Sequence, residues 1–239
     1  MTPTIVLLTD FGVTDIYVGV MKGVMRAICP SATFIDLTHA VQPQNVREGA
    51  YHLFNSYRYF PEGTVFLVVV DPGVGSARRP IIVRANGYTF IAPDNGILAY
   101  TLQDLGGEYE AYELANPEYH MPDMSVTFHG RDIFAPGAAH AAAGVPLAQF
   151  GPRLEQIKSL PTPQMVIQEH KISGEVMHID HFGNVATSIG KLRWLAPERL
   201  RLEPCFGERK TPVPIAAPSA ILRIHDVDIL GISHAYHEG

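Results

Sequence analysis

The chain of 239 residues is long enough to bury a substantial core, as one large domain or as a main domain with a smaller one. Its formal charge of −6 and the lack of a lysine-arginine stripe argue against a nucleic-acid surface, and no apolar run approaches the roughly 20 residues of a membrane span. The two cysteines, Cys29 and Cys205, predict neither a disulfide framework nor a thiolate metal site, so we expect a cytoplasmic protein.

Strand-like and helix-like segments alternate along the N-terminal part of the chain. A continuous apolar run at its start is typical of a parallel strand covered on both faces, and apolar residues at helical spacing follow it. Asn86-Gly87 suits a hairpin turn with positive φ, so the predicted sheet is mixed rather than purely parallel. The predicted strands are residues 4–8, 33–37, 64–70, 81–83 and 88–91, and the predicted helices are residues 17–29, 46–59, 97–105 and 133–143.

The pattern changes near residue 160, where Leu160-Pro161-Thr162-Pro163 is typical of a linker. Beyond it, helical periodicity fades and short β-like runs appear, at residues 172–179, 186–189, 200–202 and 220–224. We therefore predict an α/β domain over residues 1–160, with a mixed, mostly parallel sheet and flanking helices, and a smaller, barrel-like β domain over residues 165–239.

The most distinctive motif follows the strand predicted at residues 64–70. Asp71 stands where that strand ends, and a turn rich in glycine leads to Arg78 and Arg79. Ligands collect at the carboxyl ends of strands in open α/β sheets, so an acid followed by a tight turn and two arginines indicates a reactive centre. The alternative is a local turn in which the Asp71 carboxylate accepts hydrogen bonds from backbone N–H groups and the arginines are solvated.

A second polar cluster, in the predicted β domain, contains His178, Asp180 and His181. The spacing of these residues matches neither the HExxH zinc-binding motif nor a facial triad of metal ligands. Alternation along a strand would place His181 on the opposite face from His178 and Asp180. We therefore predict no metal and no other cofactor, and a metal-dependent hydrolase is the weaker alternative. The segment His225-Asp226-Val227-Asp228 predicts a charged turn or strand, and His234 and His237 are expected to face solvent.

Five motifs, taken together and in order, resemble the S-adenosyl-L-methionine (SAM) hydroxide adenosyltransferase family, which is similar to the SAM-dependent fluorinase and chlorinase. They are Thr9-Asp10-Phe11-Gly12, Asp71-Pro72-Gly73-Val74-Gly75-Ser76-Ala77-Arg78-Arg79, Ala92-Pro93-Asp94-Asn95-Gly96, Phe128-His129-Gly130-Arg131-Asp132 and Asp180-His181-Phe182-Gly183-Asn184. The resemblance implies a homotrimer in which SAM lies between the N-terminal domain of one subunit and the C-terminal domain of its neighbour.

The resemblance also implies a reaction, in which water or hydroxide displaces methionine from C5′ of SAM and gives adenosine and L-methionine. Bulk water has a pKa near 15.7, so the nucleophile needs a nearby cation and an acceptor for its proton. The triad that the resemblance implies is Asp71, Arg78 and His129. Arg78 would supply the positive charge, and His129 and Asp71 would supply hydrogen-bonding and proton-accepting groups.

The substrate-binding residues that the resemblance implies are Asp10, Asp15, Asp180, Phe182 and Asn184. Asp10 would accept hydrogen bonds from the ribose hydroxyls, and Asp15 and Asp180 would face the methionine moiety. Asn184 would read the adenine, and Phe182 would pack on the base. As structural alternatives, Asp10 could cap the following helix and Phe182 could be a core residue.

Two departures from the family pattern bear on function. Gly130 stands where the halogenating relatives carry a serine that helps to hold halide, and Asp71 replaces an uncharged residue, so a halide would be repelled and hydroxide favoured. The family also continues beyond the point matching Gly239 with a strand that grips the substrate, so we expect either a truncated end here or the absence of that clamp. The alternatives are a SAM-dependent halide adenosyltransferase and a non-catalytic protein that binds adenosine or SAM.

Overall fold

The computed structural model describes residues 2–168, 171–206 and 212–233. The chain divides into two compact units, Met1–Leu160 and Pro161–Gly239. His234 and His237, which were expected to face solvent, lie outside the described residues. Within the described ranges, no helix combines the length and the apolar character that crossing a membrane requires.

The first unit contains a seven-stranded mixed sheet in the order β2-β1-β3-β5-β4-β6-β7. The strands β2, β1, β3 and β5 run parallel, and β4, β6 and β7 each pair antiparallel with their neighbours. The predicted mixed, mostly parallel α/β sheet is therefore confirmed. The strands are β1 (Thr4–Thr9), β2 (Thr33–Thr38), β3 (Val65–Val69), β4 (Pro80–Ala85), β5 (Tyr88–Pro93), β6 (Glu110–Glu113) and β7 (Arg153–Leu154).

Four α-helices flank this sheet, and each overlaps a helix predicted from periodicity. They are α1 (Tyr17–Ile28), α2 (Val46–Ser56), α3 (Ala99–Asp104) and α4 (Ala135–Ala142). The predicted helix at residues 46–59 is α-helical only to Ser56 and ends in a 3₁₀ turn, Tyr57–Tyr59. A π-helical turn, Gly130–Phe134, leads directly into α4. Further 3₁₀ turns are Pro117–Tyr119 and Leu147–Gln149.

The start of α2 shows how local sequence fixes a helix end. The Asn45 side chain accepts a hydrogen bond from the Glu48 backbone N–H at 3.1 Å, which satisfies a donor that the first helical turn leaves unpaired. The Glu48 carboxylate in turn accepts from the Gln42 backbone N–H at 3.0 Å and from the Asn45 amide at 3.3 Å. This reciprocal arrangement resembles a capping box and ties the helix to the loop that precedes it.

Both faces of the central parallel strands are buried, as their continuous apolar sequence predicts. Ile5 and Leu7 of β1 pack in one core cluster with Met21 and Met25 of α1 and with residues of α4, while Val6 and Leu8 are buried on the opposite face. The loops at the strand ends therefore stand on a rigid scaffold.

The β4–β5 hairpin confirms the turn predicted at Asn86-Gly87, where φ is +43° and +81°. Sequence periodicity missed β6 and β7, which are short and carry charged residues. Because only two residues of β7 pair with β6, no alternation could reveal it.

Among the residues described in the second unit, short antiparallel strands form four small sheets: β8–β9, β10–β11, β12–β13–β14 and β15–β16. A 3₁₀ turn, Ala217–Ser219, precedes the last hairpin. The strands are β8 (Met165–Ile167), β9 (Ile172–Gly174), β10 (Val176–Ile179), β11 (Val185–Thr187), β12 (Lys191–Ala196), β13 (Arg199–Glu203), β14 (Val213–Ala216), β15 (Ile221–Ile224) and β16 (Val227–Leu230). Closure of these strands into a barrel remains a prediction.

The predicted charged turn in this unit is confirmed. His225 and Asp226 connect β15 and β16, with His225 at a φ of +52°. Arg223 donates to both carboxylate oxygens of Asp228 across the hairpin, at 2.6 and 2.7 Å. These charged side chains therefore pair with each other across the hairpin and stabilise it.

Candidate active site

A tight turn after β3 folds the chain back so that Arg78 reaches Asp71. The Asp71 carbonyl accepts from the Val74 N–H at 3.2 Å, and the Gly73 carbonyl accepts from the Ser76 N–H at 3.1 Å. Gly75 has a φ of +76°, and a Cβ there would lie 3.2 Å from the Val126 carbonyl oxygen. Glycine is therefore needed at this position, for its conformation and for close approach of a neighbouring loop.

The Arg78 guanidinium joins two side chains that are distant in sequence. Its Nε lies 3.0 and 2.8 Å from the two carboxylate oxygens of Asp71, and its Nη2 lies 2.5 Å from Oδ2. The same Nη2 donates to Nδ1 of His129 at 2.7 Å. The side chains of Asp71 and Arg78 are only 6% and 5% exposed, so the pair is held in a poorly solvated environment where charged hydrogen bonds are strong.

This geometry excludes the local alternative for the Asp71 motif. Main-chain groups close the turn, whereas the Asp71 carboxylate is engaged by the guanidinium of Arg78. Arg78 is not solvated, because its guanidinium also lies over the Phe134 ring, 5.1 Å from the ring centroid.

The two arginines of the motif have different roles, which the sequence alone could not separate. Arg79 pairs with Asp94, a carboxylate only 2% exposed, at 3.0 and 2.5 Å. Asp94 also accepts from the Lys158 backbone N–H at 2.7 Å, and the Asn95 amide donates to the Val70 carbonyl at 2.8 Å. Arg79 and the Asp94-Asn95 motif thus hold strand ends and the end of the first unit together.

His129 is fixed by the π-helical turn that follows it. The carboxylate of Asp132, which is fully buried, accepts from the Ser125 backbone N–H at 2.7 Å and from the Arg131 side chain at 2.5 Å. The Asp132 N–H in turn donates to the Phe128 carbonyl at 3.0 Å. Both loops that flank His129 are therefore anchored to one buried acid. The sequence motif includes Asp132 but does not reveal this supporting role.

The contact with Arg78 determines which nitrogen of His129 carries the proton. A guanidinium can only donate, so Nδ1 of His129 must accept, and the proton of the neutral ring lies on Nε2. Burial lowers the pKa of His129 below 6.5, and the positive charge of Arg78 lowers it further. His129 is therefore a neutral ring that offers an N–H donor at Nε2.

Asp10 lies at the same edge of the sheet as Asp71. Thr9 of β1 pairs with Val69 of the adjacent parallel strand β3, so the loops that follow the two strands start side by side. Asp10 Oδ2 accepts from the Gln44 N–H at 2.7 Å. It does not cap α1, whose first turn has no side-chain cap. Asp15, in the loop before α1, is exposed.

The other three predicted binding residues lie in one loop of the second unit. Asp180 Oδ1 accepts from the backbone N–H groups of Phe182 and Asn184 at 2.9 and 2.8 Å, and Oδ2 accepts from the Asn184 amide at 2.7 Å. The bond from the Asn184 amide is the main cause that lowers the pKa of Asp180. β10 ends at Ile179, so strand alternation does not extend to Asp180 as the sequence analysis assumed.

Phe182 is not a core residue, because it is 86% exposed in this chain. The carboxylate of Asp180 fixes the loop beneath it, with Gly183 at a φ of +88° completing the turn. A large apolar ring is therefore held outward on a tightly bonded loop.

An aromatic cavity of about 420 Å³ lies in the first unit beside the loop that carries His129. One wall is formed by Phe11, Tyr17 and Phe128. The ring centroid of Tyr17 lies 6.2 Å from that of Phe11 and 6.0 Å from that of Phe128. Gly130 permits this packing, because a Cβ there would lie 3.1 Å from the Phe11 ring. The apolar positions of α1 indicated a core helix, and only the fold shows that Tyr17 lines a cavity.

Comparison with known proteins places these features in a family. Residues 5–151 match the model of the SAM hydroxide adenosyltransferase N-terminal domain. The chain is 44% identical over 204 residues to a Salinispora arenicola protein named (R)-S-adenosyl-L-methionine hydrolase, a match that spans 84% of this chain and 78% of the relative. It is 38% identical over 228 residues to a protein of the same name from Thermus thermophilus, across 90% of this chain and 86% of the relative.

Two further similarities are informative. A protein of Nocardia brasiliensis named fluorinase is 36% identical over 214 residues, which cover 78% of this chain and 71% of that protein. The crystal structure of an uncharacterized conserved protein from Thermotoga maritima superposes with a TM-score of 0.74 at 46% sequence identity, covering 77% of this chain and 71% of the other.

The charge of Arg78 predicts a measurable effect on His129. In Arg78→Met the pKa of His129 should rise, because the lowering contribution of the guanidinium is removed while the Asp71 carboxylate stays nearby. NMR titration of the ring nitrogens measures this pKa. Arg84→Met, at an exposed position of β4, is the matched control, and His140 is an internal reference because burial alone lowers its pKa. An unchanged His129 pKa in Arg78→Met would contradict the assigned contact.

Proposed function

Because the chain belongs to the SAM hydroxide adenosyltransferase family, we propose that it is an enzyme that hydrolyses SAM to adenosine and L-methionine. The observation that carries this proposal is the Arg78 guanidinium, which holds Asp71 and His129 together beside the carboxyl edge of the sheet. An acid, a guanidinium and an imidazole in one poorly solvated cluster suit the activation of a small oxygen nucleophile.

The chemistry of SAM explains why so few groups are needed. The sulfonium sulfur leaves C5′ with the bonding electron pair as a neutral thioether, so no general acid is required at the leaving group. The nucleophile is the difficult partner, because neutral water is weak and must lose a proton to form the 5′-hydroxyl. In-line positioning of nucleophile and carbon is worth about 7 kcal/mol or more in favourable cases.

The triad favours hydroxide as the attacking species: bound water releases its proton to solvent, and the hydroxide left behind attacks C5′. Arg78 supplies positive charge, and the Nε2–H of His129 can donate a hydrogen bond to the nucleophile oxygen. Asp71 is held by Arg78 through both carboxylate oxygens, and its role is to orient the guanidinium. As the C5′–O bond forms and the C5′–S bond breaks, the negative charge of hydroxide and the positive charge of the sulfonium cancel.

The remaining residues have binding roles in this proposal. Asp10 accepts hydrogen bonds from the ribose hydroxyls, since its carboxylate has acceptor capacity beyond the bond from Gln44. Asp15 and Asp180 face the ammonium and sulfonium of the methionine moiety. Asn184 reads the adenine edge with its amide, and Phe182 packs on the base.

The proposed assembly is a homotrimer in which each substrate lies between the first unit of one subunit and the second unit of its neighbour. Two observations support contact with another copy. Phe182 is almost fully exposed on a rigid loop, and Val13, Ile16 and Val126 near the aromatic cavity are 81%, 75% and 71% exposed. A cytoplasmic location is also proposed, because neither cysteine is in a disulfide and the chain is acidic overall.

Halide transfer is the second candidate, because fluorinases are among the relatives. The Asp71 carboxylate argues against it, since a halide must enter the site as an anion and is repelled, whereas water enters as a neutral molecule and loses its proton only once bound. The third candidate is a non-catalytic protein that only binds adenosine or SAM.

Reaction in water labelled with ¹⁸O separates these candidates. Hydrolysis by attack at C5′ places the label in the 5′-hydroxyl of adenosine and leaves methionine unlabelled, as mass spectrometry would show. The same reaction with added chloride or fluoride should give no 5′-halo product. A 5′-halo nucleoside would favour the second candidate, and SAM binding without turnover at high enzyme concentration would favour the third.

Two substitutions test the role of His129 as a donor. Asparagine places an amide near Nδ1, whereas glutamine reaches the position of the Nε2 donor. We expect His129→Asn to lower kcat by about 100-fold and His129→Gln to retain about tenfold more activity than His129→Asn. Steady-state kinetics measure both, and adenosine binding by calorimetry should persist. Equal loss in the two variants would mean that donation from Nε2 is not the role of this ring.

Mixing two inactive variants tests the shared site. Asp10→Ala impairs the first unit, and Asn184→Ala impairs the second. If the site is built from two subunits, co-expressed mixed trimers contain sites that carry neither change. The expected activity is up to about one quarter of the wild-type rate. Mixing Asp10→Ala with Asp71→Ala, both in the first unit, is the control and should restore nothing. No recovery in the first mixture would contradict the shared site.

A further inference from the structure

A chain of polar side chains runs behind the loop that carries Asp10. Thr9 Oγ1 lies 2.9 Å from Nδ1 of His39, and Nε2 of His39 lies 3.0 Å from Oδ1 of Asp36. The Lys22 ammonium donates to the other oxygen of Asp36 at 2.6 Å. The chain thus links α1, β2 and the end of β1, and none of its members belongs to the proposed triad or binding set.

This series of polar side chains runs from the protein interior to the surface. Thr9 is fully buried and His39 is 6% exposed, whereas the side chains of Asp36 and Lys22 are 44% and 29% exposed. Buried polar groups must be satisfied by partners, because their desolvation is costly. The charged end at the surface therefore supports the polar end in the interior.

The hydrogen positions along the chain follow from the partners. Asp36 can only accept, so a proton lies on Nε2 of His39, although that N–H is not aligned for a full hydrogen bond. In the neutral ring Nδ1 then accepts from the Thr9 hydroxyl. The Thr9 oxygen is itself an acceptor for the Phe11 backbone N–H at 3.2 Å. The hydroxyl thereby uses both its donor and its acceptor.

His39 holds the Asp10 loop on both sides. Its ring contacts Thr9, the residue before Asp10, and its backbone carbonyl accepts from the Gly12 N–H at 2.8 Å, two residues after Asp10. The loop that follows His39 supplies the Gln44 N–H, which binds the Asp10 carboxylate directly. Three contacts from one neighbouring segment therefore set where the Asp10 carboxylate points.

We propose that His39 is a positioning residue, which acts through Thr9 and is oriented by Asp36 to hold Asp10 in the geometry that the ribose hydroxyls of the substrate require. This rests on the proposed function, since Asp10 is the ribose ligand in that proposal. The chemical class it recognises is a ribonucleoside with a free 2′,3′-diol. Loss of these side-chain contacts weakens ribose binding and leaves the Asp71–Arg78–His129 cluster intact.

Thr9→Val tests the proposal, because it removes the hydroxyl and keeps the shape of the side chain. We expect KM for SAM to rise about tenfold, the cost of one misplaced charged hydrogen bond, with kcat within twofold of wild type. Thr9→Ser, which restores a hydroxyl, should rescue KM. Thr64→Val is the matched control: Thr64 is 1% exposed and donates to the Pro61 carbonyl at 2.7 Å, so its loss affects stability without touching the Asp10 loop.

Two further measurements distinguish positioning from general damage. Measured by calorimetry, the loss of adenosine affinity caused by Thr9→Val should vanish in the Asp10→Ala background, and Thr9→Val should not weaken binding of 2′,3′-dideoxyadenosine, which lacks the diol. Asp36→Asn, at a partly exposed position, carries the test if Thr9→Val does not fold, and should raise KM about threefold. Equal KM values for Thr9→Val and Thr64→Val, or additive effects with Asp10→Ala, would overturn the proposal. If the wild-type chain does not turn over SAM, the proposed function fails instead, while the dideoxyadenosine comparison by calorimetry still tests the positioning chain.

Discussion

The bridging guanidinium of Arg78 is the interaction on which the site depends. A positive charge that is only 5% exposed persists only with a partner, and Asp71 supplies that partner through both carboxylate oxygens. The remaining donor capacity reaches His129, 51 residues further along the chain. One buried pairing therefore fixes the position of the arginine and the tautomer of the histidine.

Parallel strand order explains why the functional loops meet. β1 and β3 are neighbours in the sheet although about 60 residues separate them, so Asp10 and Asp71 emerge at one edge. Polar side chains hold each loop in place: His39, which lies beside Asp36, contacts the residues on either side of Asp10, and the buried Asp132 anchors the segment before His129. The residues proposed to contact substrate are thus held in place by residues that do not contact it, and this support maintains the geometry of the site.

The second unit contributes a different kind of element. Its loop from Asp180 to Asn184 is closed by three hydrogen bonds to one carboxylate, and it presents an exposed aromatic ring. Rigid presentation of an apolar ring lowers the entropy lost when a ligand or a second copy covers it. In the proposed trimer, that contact would join the two halves of the substrate site.

Local patterns determined much of the fold. Apolar runs located the central strands, helical spacing located α1 to α4, and Asn86-Gly87 located a hairpin, because these signals depend on neighbours in sequence. The short polar strands β6 and β7 were not predicted, and the motifs named the acid, the arginine and the histidine without showing how their side chains contact one another. Only tertiary structure decided that Arg78 contacts His129 while Arg79 pairs with Asp94, that the proton of His129 lies on Nε2, and that His39 contacts the residues on either side of Asp10. Each of these depends on which distant side chain faces the group across the fold, a property that sequence spacing does not encode.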